Sequence, residues 1–307
     1  MGKKYTIGID IGGTNMRAGL ISRDGSIIEK VKLLTSEEIL DSLIKVVDSL
    51  ISDQVAGIGI GVAGLIHKKN NKVLISPNLQ VAEKLNFVDE LRTKFEVPVI
   101  IENDANAAAF GEMWVGAGKD FRDFFLFTLG TGIGGGAIYE RRLMKISAEV
   151  GHMTIITDGE KCNCGNYGCL EMYASATAIL SKAISALEEG RESILREYCN
   201  GNFYKLTAED IYKAALDGDS LSREILKNAG KHLGIGIANI INLMSPGAII
   251  LTGGLIGAWE IYIREAIREA SRRAFKPLFE VVEIIPASLM DDAGIIGAAG
   301  LAFQVTA

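Results

Sequence analysis

Only 5 of the 307 residues are proline, so the 35 glycines, about 11% of the chain against a usual ~7%, belong neither to a collagen-like repeat nor to a Pro-rich linker. Such glycines are expected in turns and ligand loops. Basic charge is also short. The 32 Lys and Arg stand against 38 Asp and Glu, a formal charge of -6, and no basic run offers a stripe to neutralise phosphates, which argues against a nucleic-acid partner. No apolar segment with a small-residue cleavage site precedes Ile7, so the chain reads as cytoplasmic. The longest uncharged stretch, Leu233 to Trp259, is interrupted by Asn239, Asn242, Ser245, Pro246, Gly247 and the Gly253-Gly254 pair. It predicts a buried helix, a turn, a strand and a glycine loop in place of a membrane span. Apolar residues, by contrast, are plentiful: 48% of the chain is hydrophobic and mean hydropathy is +0.23, which excludes disorder. The length favours two domains.

Strand-like runs recur at Tyr5 to Ile11, Gly57 to Val62, Val97 to Ile101, Phe124 to Leu129 and Ala248 to Leu251. Helical spacing of apolar residues marks Glu37 to Ser52, Ser220 to Met244 and Ile261 to Phe275, and the alternation predicts an α/β fold with mainly parallel or mixed sheets. A coarse repeat is also visible. Ile7 to Thr14 is a strand entering a glycine-threonine turn, followed by a strand from Arg17 to Ile21. Phe125 to Gly136, followed by Ala137 to Tyr139, repeats that plan. Two such loops can bring backbone N–H groups to phosphate oxygens; each alone is also a plain hairpin turn. Neither loop matches the Walker or the Rossmann pattern.

Three constellations carry chemistry. Asp10 ends an apolar strand just before Gly12, Gly13 and Thr14, where Mg²⁺ bridged to a triphosphate is a natural partner and a turn-capping role is the simpler alternative. Asn103 and Asp104 stand where a strand meets a helix N-terminus. Asp104 is either an N-cap or a base that takes the proton of a substrate hydroxyl as its oxygen attacks phosphorus, and Asn103 suits a sugar hydroxyl. His152 with Cys162, Cys164 and Cys169 supplies one imidazole and three thiolates, the ligand count of a closed structural zinc site; the alternative is three reduced cysteines without metal. Glu149 and Glu171 flank the cluster, where a zinc-ordered loop would aim them at polyol hydroxyls. Cys199 stands apart as a buried apolar residue, and His67 and His232 lack ligand-spaced partners.

Asp10 to Asn15, Glu102 to Asn106, Leu129 to Gly136, Glu149 to His152 and Cys162 to Glu171 together resemble the ROK family of sugar kinases and repressors, most closely its bacterial glucokinases. The similarity runs along nearly the whole chain, including Leu251 to Gly254 and the helix Gly294 to Ala302. It implies an actin-like (ribonuclease H-like) ATPase fold of two domains around a central cleft that closes over ATP, Mg²⁺ and a hexose. A small domain over 1–106, completed by the C-terminal helix 290–307, would face a large domain over 107–289 that carries the zinc loop. The resemblance places the catalytic base at Asp104 and sugar contacts at Gly64, Asn78, Asn103, Asp104, Glu149, His152 and Glu171. Nucleotide contacts fall at Asp10, Gly12, Gly13, Thr14, Asn15, Thr131, Gly132 and Gly254, and zinc ligands at His152, Cys162, Cys164 and Cys169. One ring nitrogen of His152 would bind metal while the other N–H faces sugar. The segment Glu140 to Ala148 departs from the family's glycine-rich pattern, and the start of the first strand by Tyr5 leaves no room for the repressors' helix-turn-helix. The implied activity is phosphorylation of a hexose 6-hydroxyl by ATP, with glucose the first candidate acceptor. Kinases of N-acetylhexosamine, mannose or fructose, and a sugar-sensing module without turnover, are the alternatives. A homodimer is also implied.

Overall fold

The computed structural model describes residues 3–13, 15–35, 38–67, 70–76, 83 and 86–306. In chain order the first elements are β1 (Tyr5–Ile11), β2 (Asn15–Ser22), β3 (Ile27–Leu34), α1 (Ile39–Leu50), β4 (Val55–Val62), β5 (Leu65–His67), β6 (Lys72–Ile75), α2 (Phe87–Phe95), β7 (Val99–Asn103) and α3 (Asp104–Val115). Next come β8 (Phe124–Leu129), β9 (Ile133–Tyr139), β10 (Arg142–Leu143), α4 (Glu171–Ala174), α5 (Ala176–Glu188), α6 (Leu195–Tyr198), α7 (Ala208–Leu216) and α8 (Ser220–Met244). The chain closes with β11 (Ala248–Thr252), α9 (Arg264–Arg273), α10 (Lys276–Phe279), β12 (Glu283–Pro286) and α11 (Ala293–Thr306). Two compact units result. One comprises Met1–Leu126, Gly136–Ala148 and Ala287–Ala307, the other Phe127–Gly135 and Glu149–Pro286.

The repeat read from the glycine loops extends to whole sheets. One sheet has the order β3-β2-β1-β4-β7 and the other β10-β9-β8-β11-β12, so each hairpin strand pair is followed by two further strands in the same sequence. In the first sheet β1 runs antiparallel to β2 and parallel to β4, and β4 runs parallel to β7. Every residue of β4 is buried, as expected of a central strand covered on both faces. Ile7, Ile9 and Ile11 of β1 and Ile58, Ile60 and Val62 of β4 form one core with Leu43, Val46 and Val47 of α1 and Phe87 and Leu91 of α2.

Helix α11 packs on the same unit by approaching backbone rather than side chains. A Cβ at Gly8 would lie 1.9 Å from the Ile295 carbonyl oxygen, and one at Gly59 1.8 Å from that of Ala298. On α3, Gly111 faces Ala293 and Ala107 faces Gly297, where a Cβ would come 1.7 Å from the Ala107 oxygen. In the second unit α8 is a long core helix with Leu226, Leu233, Ile237 and Ile241 fully inside. Asp219 caps it, accepting from the Ser222 amide at 2.7 Å. Among the described residues no helix is long and apolar enough to cross a membrane. The buried Cys199 bonds its thiol to the Leu195 carbonyl at 3.1 Å, as its apolar setting predicts.

The Gly297 contact yields a direct test. Gly297→Ala should destabilise the protein by about 1–3 kcal/mol or more, because overpacking against a carbonyl forces α11 away from α3. Thermal unfolding reads this as a lower midpoint; an unchanged midpoint would mean the helices part without cost.

Candidate functional site

Asp10 is the penultimate residue of β1 and pairs in register with Arg17 of β2 across the hairpin. The hairpin itself is tight: the Gly12 amide donates to the Asn15 carbonyl at 3.0 Å, and the Thr35 hydroxyl donates to the Gly12 carbonyl at 2.8 Å. Thr14 lies outside the described residues. Gly294, at the start of α11, lies tight against Asp10, since a Cβ there would sit 3.1 Å from the Asp10 carboxyl carbon and the carboxylate would have to give way. Burial, helped by the neighbouring Asp104 and Asp291 charges and opposed by Arg17, pushes the Asp10 carboxyl up to about 7. Arg17 is itself held at 3.1 Å by Asp291. Neither Arg17 nor Asp291 was singled out from sequence. Arg17 was accessible through the alternation of β2, whereas Asp291 arrives from 274 residues away.

The two readings of Asp104 separate in the structure. The N-cap of α3 is Asn103, whose Oδ1 accepts from the Asn106 amide at 3.1 Å, and Asp104 is the first helical residue. Its carboxyl is raised by burial, with hydrogen bonds from the Ala105 amide and its own pulling the other way. Asn103 also donates through Nδ2 to the Gly64 carbonyl at 3.1 Å, which leaves one N–H and one lone pair of its amide for other partners. Gly64 has φ 136, and a Cβ there would meet the Ile75 oxygen at 2.3 Å, so only glycine fits. Glu102, one residue earlier, accepts from the Asn103 amide at 3.0 Å and from Asn106 Nδ2 at 3.1 Å, which fixes this corner. Asn78 lies outside the described residues.

In the second unit the four sequence-derived ligands converge. The donor atoms of His152, Cys162, Cys164 and Cys169 all lie within 4.8 Å of one another. Cys162 Sγ is 3.6 Å from His152 Nδ1, and the Cys164 and Cys169 sulfurs are 3.7 Å apart. A tetrahedral zinc with its usual bond lengths needs about 3.6 Å between sulfur and nitrogen and about 3.8 Å between sulfurs. The donor set therefore fits zinc in chemistry, and two of its spacings already match a tetrahedral ion. Burial pushes the Cys162 thiol up to about 12 and raises that of Cys169, so holding both as thiolates takes a cation. Cys164, exposed, is lowered by a backbone hydrogen bond from Asn166.

Glu171 begins α4 beside this cluster. Its Oε1 is 3.3 Å from Cys162 Sγ and 3.5 Å from His152 Nδ1, and its Oε2 faces Gly132, 2.9 Å from where a Cβ would lie. Because Nδ1 of His152 points into the sulfur cluster, Nε2 is the nitrogen left for a second partner. Glu149 immediately precedes the short 3₁₀ turn Val150–His152. Thr131 and Gly132 belong to the turn between β8 and β9, where the Gly130 amide donates to the Gly132 carbonyl at 3.0 Å and the Gly134 amide to Thr128 Oγ1 at 3.1 Å. Gly254 is exposed with open space around its Cα. Glu140, Arg141 and Ala148 all hold positive φ, at 50°, 57° and 48°, in the segment that departs from the glycine-rich pattern.

The sheets, the repeated hairpins and the C-terminal helix define the actin-like ATPase fold. The chain belongs to the ROK family, whose model matches residues 6–305. It is 35% identical to a glucokinase of Thermotoga maritima, with 98% of each chain covered. A solved ROK family glucokinase from Streptomyces griseus, in complex with glucose and AMPPNP, is 33% identical with a TM-score of 0.86, covering 98% of this chain and 99% of that one. The xylose repressor of Bacillus subtilis is 34% identical over 95% of this chain but only 75% of its own.

The raised pKa of Asp10 has a consequence of definite sign for stability. Its protonated form is favoured in the folded state, so the native protein loses stability as pH rises from about 4 to 7. Asp10→Asn should raise the melting temperature at pH 8 in magnesium-free buffer by a few degrees, and the gain should vanish at pH 4. An equal gain at both pH values would contradict the desolvated carboxylate.

Proposed function

We propose that glucose is the acceptor of this ATP-dependent hexose kinase and that its 6-hydroxyl is the group phosphorylated. The observation that carries the reading is Asp104 at the first position of α3, relieved of capping by Asn103 and desolvated enough to be a better base than an ordinary carboxylate. In this mechanism the Asp104 carboxylate takes the proton of the sugar 6-hydroxyl as O6 bonds to the γ-phosphorus of ATP. The bond from that phosphorus to the β,γ-bridging oxygen breaks, and ADP leaves. Gly64, Asn78, Asn103, Glu149, His152 and Glu171 would hold the sugar hydroxyls. The Gly12 to Asn15 and Thr131-Gly132 turns, with Gly254, would hold the nucleotide.

Asp10 is the residue that would hold Mg²⁺, directly or through water. A half-buried carboxylate raised by burial and by a second acid is a site where a divalent cation removes an electrostatic cost. Mg²⁺ supplies charge neutralisation on the phosphates when bound. His152, Cys162, Cys164 and Cys169 would hold zinc, which supplies order to the loop bearing Glu171. A sugar-sensing module without turnover draws support from the repressor relative, but the paired acids and both glycine turns favour a kinase. Acceptors other than glucose within the hexoses are separated by ADP release over a panel of glucose, mannose, fructose and N-acetylated hexosamines. A cytoplasmic homodimer is the assembly we propose, tested by sizing chromatography.

Asp104→Asn should leave glucose binding largely intact while lowering turnover about 10²-fold or more, the usual scale of losing a general base. Near-normal kcat would reduce Asp104 to a helix residue. Purified protein should contain about one zinc per chain. Cys164→Ser should lower zinc content and sugar affinity together while affecting nucleotide affinity much less; metal-free protein with full sugar affinity would contradict the zinc assignment.

A further inference from the structure

Four residues spanning the end of α4 and the start of α5, Ala174 to Thr177, tie three parts of the second unit together. The Ser175 amide donates to the Glu171 carbonyl at 3.3 Å, which closes the turn that carries the Glu171 side chain. The Ala176 amide donates to the Gly130 carbonyl at 2.9 Å, and the Thr177 hydroxyl to the Thr131 carbonyl at 2.7 Å, so the β8–β9 turn hangs from the same four residues. The Ala174 carbonyl accepts from the Tyr262 hydroxyl at 2.6 Å, across 88 positions of sequence.

Tyr262 is built to be immobile. It is the largest wholly buried side chain among the described residues and sits in the single π-helical turn Trp259–Ile263, a local distortion often found at functional places. Its carbonyl packs against Gly230 of α8, where a Cβ would come within 2.5 Å. The 3₁₀ turn that precedes it, Gly254–Ala258, follows Gly253, whose φ of 99° lets it lie on the Leu129 backbone at the end of β8. Burial raises the phenol well above its ordinary range, so it remains a donor at every working pH.

We propose that the Tyr262 hydroxyl is a positioning group that couples the Glu171 turn to the Gly130-Thr131 turn through the Ala174–Thr177 junction. The inference rests on the reading that Glu171 faces the sugar and that Thr131-Gly132 faces phosphate. A ligand that orders one turn then lowers the cost of ordering the other, because both hang from one short junction whose Ala174 carbonyl Tyr262 anchors. Phenylalanine at 262 keeps the ring and removes only this bond, leaving the Ala174 oxygen without its donor.

The test uses the full-length, zinc-loaded protein. Glucose affinity is measured by calorimetry alone and with saturating AMPPNP and Mg²⁺, in the wild type, Tyr262→Phe and Thr177→Val. The wild type should bind glucose more tightly with nucleotide present. Tyr262→Phe should reduce that ratio by about threefold or more, within the usual range of coupling between sites. Thr177→Val, which removes an exposed bond of the same junction, should reduce it in the same direction, and zinc content should stay unchanged in both. If Tyr262→Phe fails to fold, Thr177→Val tests the junction through which Tyr262 acts, and a wild-type ratio there overturns the coupling. A wild-type ratio of one, or variants that keep the wild-type ratio even with lowered melting temperatures, would overturn the coupling. A wild type that phosphorylates glucose while the ratio is unmoved sinks the coupling alone. A wild type that binds neither ligand sinks the proposed function and the coupling together.

Discussion

Backbone lying directly on backbone is the constraint from which the first unit follows. Helix α11 reaches β1 and β4 at Gly8 and Gly59, and it reaches α3 through its own Gly297 and through Gly111 of the partner helix. None of these positions has space for a methyl group, so the helix cannot slide or lift without losing the contact altogether. That fixed seat brings Gly294 against the Asp10 carboxyl and presents the α3 N-terminus, with Asp104, on the same unit. Burial raises the cost of ionising both acids, and the Asp104 charge adds to that of Asp10, which is poor for stability and useful for holding a cation or accepting a proton.

In the second unit the corresponding feature is a cluster of metal-ligand side chains. The loop from His152 to Cys169 has few apolar anchors of its own, and its glycines at 165 and 168 hold positive φ. The four donor atoms of the His152 and cysteine cluster sit beside Glu171, whose Oε1 lies near the Cys162 sulfur and whose Oε2 faces Gly132 of the β8–β9 turn. One short helix thus connects the loop that bears the His152 and cysteine cluster, a glycine turn and, through Tyr262, the core of the unit.

Much of this was legible in sequence, for identifiable reasons. Both glycine hairpins carried a strand-turn-strand pattern strong enough to predict a repeat, and the sheets share a strand order as that repeat implies. The cysteine spacing carried its own geometry. What escaped was tertiary. Strand β3 has mostly exposed residues, including Glu29, Lys30 and Lys32, so its sequence lacks the apolar run of a core strand. The helix expected over Ile261 to Phe275 begins as a π-helical turn and becomes regular only at Arg264, and within that turn Tyr262 reaches inward to a carbonyl far along the chain. The strand expected over Val97 to Ile101 runs instead from Val99 to Asn103, carrying Asn103 to the cap and moving Asp104 out of it. Asp291 beside Arg17 depends on the chain returning to β2 after most of its length, which no local pattern records.

The most direct measurement of the central claim compares glucose with 6-deoxyglucose as acceptors for ATP and Mg²⁺, with the phosphorylated product identified by phosphorus NMR. The account predicts that glucose yields glucose 6-phosphate and ADP in equal amounts, whereas 6-deoxyglucose competes for binding and yields neither. Phosphate appearing at another hydroxyl, or a protein that binds both sugars and transfers phosphate to no hexose, would contradict it.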